Sequence, residues 1–214
     1  LNLDGFSVLL VEDQSVNQFY ATTIMRQWGI EVNLATNGYE AVILARKKRY
    51  NLILMDMHMP VMDGFEATRI IRDEIKPDVP IIALTANVVK GIEQECLSSG
   101  MNGYLAKPFS PDGLFSKIMP LLPEALLNSA SEREEYDYKH KKVDSAACYD
   151  LSVLRTMFNN DTERISKMVN LFIELTPGQV DKLSKALKDN DRGRIRSIVH
   201  KLRPAINYLG IAKL

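Results

Sequence analysis

The sequence predicts an α/β doubly wound, five-stranded parallel sheet followed by a small all-α helical-bundle unit. Three observations predict it. Short apolar runs alternate with helix-period segments over residues 1–122. Each of those runs closes on a polar residue at its carboxyl edge. From residue 150 onward only the helical period remains. Strands that alternate with helices form parallel sheets with helices on both faces. Such sheets place their sites beyond the carboxyl ends of the strands.

The elements follow in order. Ser7-Val-Leu-Leu-Val-Glu12 is an apolar run ending in acids and reads as a buried strand. Residues 15–28 carry Val16, Tyr20 and Ile24 at helical spacing. Glu31–Thr36 is the second strand, and Asn37-Gly38 opens a helix to about Arg49. Leu52–Asp56 is the third strand and Gly64–Glu74 the third helix. Pro80–Thr85 is the fourth strand, and its helix runs over Val89–Ser98 and stops before Gly100. Tyr104–Lys107 is the fifth strand and Pro111–Leu122 the last helix of this unit.

Residues 123–149 show no sustained apolar period and dense charge, as in a linker. The unit at 150–214 starts with a short helix through Leu151, Leu154 and Phe158. Asp161-Thr162 opens a second, which Thr176-Pro177-Gly178 interrupts or bends before Val180, Leu183 and Leu187 continue. Asn190-Asp191 turns the chain into a third, with Ile195, Ile198, Val199, Leu202 and Ile206 on its apolar face. About that face, at ~100° per residue, His200 falls on the opposite side with Arg196, Arg203 and Pro204. The histidine is therefore expected to face solvent on a basic strip. Pro204 has no N–H, so the carbonyl of His200 loses its helical partner and a local kink is expected.

Charge divides along the chain although the total is zero. Residues 1–122 carry 11 Lys/Arg against 14 Asp/Glu, and residues 150–214 carry 12 against 7. No apolar run approaches the ~20 residues of a membrane span, so no membrane contact is expected of this piece. Cys96 and Cys148 make no disulfide framework and suit a reducing, cytoplasmic setting. The chain opens on Leu1-Asn2-Leu3 and is read as part of a longer protein.

The strand ends bring together Glu12, Asp13, Asp56, Thr85 and Lys107. Clustered carboxylates repel unless a cation joins them, and oxygen ligands of this kind suit Mg²⁺. A lysine pairs with phosphate or carboxylate oxygens, and a threonine hydroxyl donates to another oxygen. A carboxylate can itself be the nucleophile in phosphoryl transfer.

Asp-x-x-Met-Pro-x-Met-Asp-Gly at 56–64 resembles the phosphoacceptor loop of two-component receiver domains. Val-Leu-Leu-Val-Glu-Asp at 8–13, Ala-Leu-Thr-Ala at 83–86 and Tyr-Leu-Ala-Lys-Pro-Phe at 104–109 are similar to the family's other motifs. The resemblance implies a flavodoxin-like sheet of order 2-1-3-4-5. It implies Asp56 as phosphoacceptor and a magnesium ion on Asp13 and Asp56, on Glu12 through water, and on the backbone carbonyl of His58. Lys107 and Thr85 would hold phosphoryl oxygens, Tyr104 would change rotamer with Thr85, and the Lys107-Pro108 bond would be cis. Asn17 would steer the acidic loop. For His58 a side-chain metal role is not favoured, since no second histidine accompanies it.

His-Lys-Leu-Arg-Pro followed by Gly210 is similar to the signature of histidine phosphotransfer domains, helical bundles with one phosphorylatable histidine. His200 would be that histidine, with Arg203 where the family usually has lysine. The family's bundle continues past the glycine, so the unit reads as incomplete at its C-terminus and open to self-association. Together the two resemblances imply the C-terminal part of a hybrid sensor histidine kinase whose parent is anchored in the inner membrane. Its partners would be an upstream histidine kinase domain and a downstream response regulator receiver domain, with no nucleic acid. A response regulator with a DNA-binding or dimerising helical tail, a scaffold with an inert His200, and a phosphatase using Asp56 are the rival readings.

Overall fold

In a computed structural model the residues described are 2–75, 77–86, 91–122 and 149–211. The chain divides into two compact units, Leu1–Glu134 and Glu135–Leu214. The proposed linker at 123–149 lies outside the described residues except for Tyr149, as do the start of the fourth helix and Cys148.

The first unit is a five-stranded parallel sheet of order β2-β1-β3-β4-β5. β1 is Ser7–Val11, β2 Glu31–Ala35, β3 Leu52–Asp56, β4 Ile81–Thr85 and β5 Gly103–Ala106. β1, β3 and β4 are buried at every position, which is why they read as continuous apolar runs without alternation. The edge strand β2 is buried only at Val32 and Ala35.

Helices α1 (Ser15–Gln27), α2 (Gly38–Lys47), α3 (Gly64–Ile70) and α4 (Ile92–Ser98) make the crossovers, and α5 (Pro111–Ile118) follows β5. Polar caps start three of them. Asn37 accepts from Glu40 N–H, Asp63 from Glu66 N–H, and Ser110 from Gly113 N–H ahead of a first-turn proline. The expected third helix ends earlier in α form and continues as one π-type turn, Ile71–Ile75. Arg72 in that turn donates to the carbonyls of Gly100 and Val79, which anchors it to the ends of neighbouring elements. Similarly, the last helix closes with a 3-10 turn, Met119–Leu121. β5 ends one residue earlier than expected, so Lys107 stands just beyond the strand.

The second unit contains α6 (Ser152–Met157), α7 (Thr162–Lys188) and α8 (Arg192–Tyr208). Asp161 and Asp191 cap α7 and α8 by accepting from Arg164 and Arg194 N–H. Two expectations fail here. Of the interruption or bend expected at Thr176-Pro177-Gly178, the interruption does not occur, and α7 runs continuously for 27 residues with Pro177 exposed on its surface. A mid-helix proline costs about 3 kcal/mol, and the apolar seam that continues on either side of it, with Met168 and Ala186 buried, offsets that. The apolar face of α8 is also rotated from the expected one. Ile198, Pro204, Ala205 and Tyr208 are buried, while Val199 is 46% exposed. The small Ala205 and the flat Tyr208 ring admit close packing on that side, which a count of branched aliphatic residues overlooks. Pro204 therefore points inward and not to the histidine's solvent side. His200 lies at the rim of the buried face and is half-buried.

Gly210 follows α8 with φ +58°. A Cβ there would stand 2.7 Å from the backbone oxygen of Asp150. Asp150 N–H donates to Leu209 O at 2.9 Å, so the start of the unit closes against its end.

Candidate functional site

The carboxyl edge of the sheet gathers acidic and basic residues from the ends of three strands, β1, β3 and β5. β1 ends immediately before Glu12 and Asp13, and Asp56 is the last residue of β3. Carboxylate oxygens of Glu12, Asp13 and Asp56 all lie within 4.8 Å of one another. Glu12 and Asp56 are buried, and Asp13 is half-buried.

Lys107 reaches into this cluster from beyond β5. Its Nζ donates to Asp56 Oδ2 at 2.7 Å and to Glu12 Oε2 at 2.8 Å. The three side chains are 1–2% exposed. The following Lys107-Pro108 peptide is cis, as expected, and Lys107 N–H donates to Thr85 O at 2.6 Å. Thr85, buried at the end of β4, stands at the same edge.

Charge within the cleft does not balance. Three carboxylates face one ammonium. Burial, and next to it Asp56, push the Glu12 carboxyl up to about 7, against the pull of Lys107. Burial alone would depress the Lys107 ammonium, yet Glu12 and Asp56 together hold it above its ordinary value. Oxygen-only donors, clustered and short of positive charge, fit a hard divalent cation such as Mg²⁺. Thiol or imidazole groups that would favour a softer metal are absent from this cluster.

Asp56 Oδ1 accepts from the backbone N–H of His58 at 3.3 Å, and the His58 side chain is exposed. Gly64 packs so closely on the same loop that a Cβ there would overlap the Asp56 carbonyl oxygen. Glu12 is held from its other side by Asn17, whose Nδ2 donates to Glu12 Oε1 at 2.9 Å. Gln18 Nε2 donates to the Glu12 carbonyl at 2.6 Å.

Tyr104 on β5 is half-buried, and the Lys117 ammonium lies 5.8 Å from its ring centroid. Pro108 is exposed. By its helical spacing Tyr20 reads only as an apolar position of α1. The structure gives its hydroxyl a partner, the Phe109 carbonyl at 2.5 Å. No local pattern could have found that bond, because its partner is 89 residues away.

His200 belongs to the other unit, on α8. Lys201 beside it is half-buried and Arg203 is exposed.

Comparison with known proteins agrees with this geometry. The model of the response regulator receiver domain family matches residues 8–119. The receiver domain of a Pseudomonas aeruginosa sensor histidine kinase, crystallised with magnesium coordinated in its active-site cleft, is 47% identical with a TM-score of 0.51. It covers 55% of this chain and 97% of its own. A Saccharomyces cerevisiae receiver domain from the response regulator Ssk1, solved with the histidine phosphotransfer protein Ypd1, is 36% identical with a TM-score of 0.52 over 56% of this chain. Over 97% of the chain the sequence is 28% identical to the sensor histidine kinase GacS of Pseudomonas protegens, of which it covers 23%. The chain thus spans about a quarter or less of the curated relatives it matches.

Proposed function

Since the chain belongs, through residues 8–119, to the response regulator receiver domain family, we propose that Asp56 takes a phosphoryl group from a kinase histidine and exchanges it with His200. The observation that carries this reading is the placement of Lys107 between Glu12 and Asp56 at the carboxyl edge of the sheet. One Asp56 carboxylate oxygen attacks phosphorus. The phosphorus–nitrogen bond of the donor phosphohistidine breaks, and the imidazole nitrogen keeps the electron pair and takes a proton from solvent. Onward transfer reverses the roles: an imidazole nitrogen of His200 attacks, and the acyl phosphate bond returns its pair to Asp56.

Lys107 has the charge and position to hold a phosphoryl oxygen, releasing part of its hold on the carboxylates as it does so. Thr85 supplies a hydroxyl at the same edge, and Tyr104 follows its movement. Glu12, Asp13, Asp56 and the His58 carbonyl would hold Mg²⁺, which offsets the negative charge of the phosphoryl oxygens. On α8, Lys201 and Arg203 offer positive charge beside His200, as a phosphorylated imidazole needs.

The match to GacS over nearly the whole chain supports a place within a sensor histidine kinase; the parent is read as a hybrid, membrane-anchored kinase with this part on its cytoplasmic side. The donor is then the kinase domain of that parent, and the acceptor a separate response regulator receiver. Among the described residues no helix is long and apolar enough to cross a membrane.

The test is incubation with Mg²⁺ and a small acyl phosphate donor, followed by sorting the label by its stability. Acyl phosphates are lost in base and histidine phosphates in acid. Acid-labile label on His200 that disappears in Asp56→Asn establishes the relay. Label confined to Asp56, unchanged by His200→Gln, removes His200 from the reaction and favours a response regulator with a helical output unit.

A further inference from the structure

α1 touches the site at two points one helical turn apart. Asn17 donates to Glu12 Oε1 at 2.9 Å. Tyr20 donates its hydroxyl proton to the Phe109 carbonyl at 2.5 Å, and the two rings stand 5.4 Å apart at 42°. Asn17 and Phe109 are 5% exposed and Tyr20 is fully buried. Phe109 lies two residues past Lys107, and Lys107 donates to Glu12 Oε2. These contacts close a ring that runs from α1 through Asn17, Glu12, Lys107 and Phe109 back to α1 at Tyr20.

We infer that Tyr20 is a positioning residue for Lys107, with Asn17 as the opposing arm of the same brace. The inference rests on the reading of Asp56 as phosphoacceptor for its kinetic consequence, but not for its geometry. A lysine head on a four-carbon stem has many rotamers, and its place depends on where its backbone is pinned. Lys107 N–H is the last bond to β4, made to Thr85 O. Beyond it the chain leaves the sheet, and the Phe109 carbonyl has no strand to accept from. The Tyr20 hydroxyl fills that role from α1. Buried carbonyls need such a donor, and this one also fixes the loop that aims the ammonium. Asn17 sets the Glu12 oxygen that shares the ammonium with Asp56.

The experiment compares wild type, Tyr20→Phe, Asn17→Ala and the double variant, full chain in each case. Tyr20→Phe keeps the ring and removes only the hydroxyl. Its Asp56 phosphorylation rate at saturating Mg²⁺ should fall on the order of 3- to 30-fold, since misplacing a charged group by a fraction of an ångström has effects of this size. Its Mg²⁺ dissociation constant should stay within about 2-fold, because the hydroxyl touches none of the carboxylates. A purely structural role would instead lower the melting temperature and weaken Mg²⁺ binding together with the rate, and that pattern overturns the inference. The double variant should lose less than the product of the two single losses, as members of one ring do. A full product means two unrelated contacts and also overturns it.

A second readout needs no phosphorylation. A buried ammonium held by two carboxylates exchanges its protons slowly and gives an observable nitrogen–proton NMR signal. The Lys107 signal should be sharp in wild type and shifted or lost in Tyr20→Phe. An unchanged signal overturns the inference whether or not Asp56 takes phosphate. A wild type that takes no phosphoryl group, while the variant loses the signal, defeats the Asp56 reading alone and leaves the brace standing.

Discussion

Lys107 Nζ and Asp56 Oδ2 meet at 2.7 Å across 51 residues of sequence, both side chains 2% exposed. The same ammonium serves Glu12. Removing one member of a buried ionic cluster leaves uncompensated charge, a loss of about 3–5 kcal/mol. Lys107→Met should therefore destabilise the metal-free α/β unit by about that amount in urea unfolding. An equally stable variant would mean that the carboxylates are protonated or solvated and that the ammonium is dispensable.

Three carboxylates against one ammonium also predict a cation-dependent stability. Ligand that binds only the folded state stabilises by about 2.7 kcal/mol at a hundred times its dissociation constant. Calorimetry with increasing Mg²⁺ should show a steadily rising melting temperature for wild type. The rise should be much smaller in Asp13→Asn, which keeps the shape and removes one charge. A melting temperature indifferent to Mg²⁺ would end the metal assignment.

Gly64 lies against the peptide of Asp56 with no room for a Cβ. Gly64→Ala must push the loop that follows Asp56 away from β3. Overpacking of this kind costs about 1–3 kcal/mol, and phosphorylation of Asp56 should slow along with it. Full activity at normal stability would show that the loop can yield without disturbing the carboxylate.

Gly210 combines φ +58° with the approach of Asp150 at 2.7 Å. Gly210→Ala adds a left-handed penalty of roughly 1–2 kcal/mol to a backbone clash. The helical unit should melt earlier while the sheet unit keeps its own transition. Two transitions followed separately, by calorimetry of the full chain, test this.

The sheet was legible because parallel strands leave a strong imprint. Val8 to Val11, Leu52 to Met55 and Ile81 to Leu84 are apolar on both faces, and each run stops at a polar residue of the candidate site. The site was legible for the same reason, since topology alone brings Glu12, Asp56, Thr85 and Lys107 to one edge. What escaped was set by tertiary packing. Pro177 signals a break, but the helix continues through it, with Met168 and Ala186 buried on either side. The face of α8 was misplaced because Ala205, Pro204 and Tyr208 pack inward more closely than Val199 does. Tyr20 has the same helical spacing as any core residue, and only the fold shows which carbonyl its hydroxyl finds.

The closure of Asp150 against Leu209 and Gly210 makes the helical unit a loop of chain with a common doorway. Segments that enter at residue 150 and leave after 210 start from one spot on its surface. A tug on either would be felt first at that doorway, before it reaches the middle of α7. The unit should also tolerate being opened elsewhere, for instance in the Asn190 turn, with its old ends joined by a short flexible bridge. His200 would then ride on a rearranged chain with its neighbours unchanged.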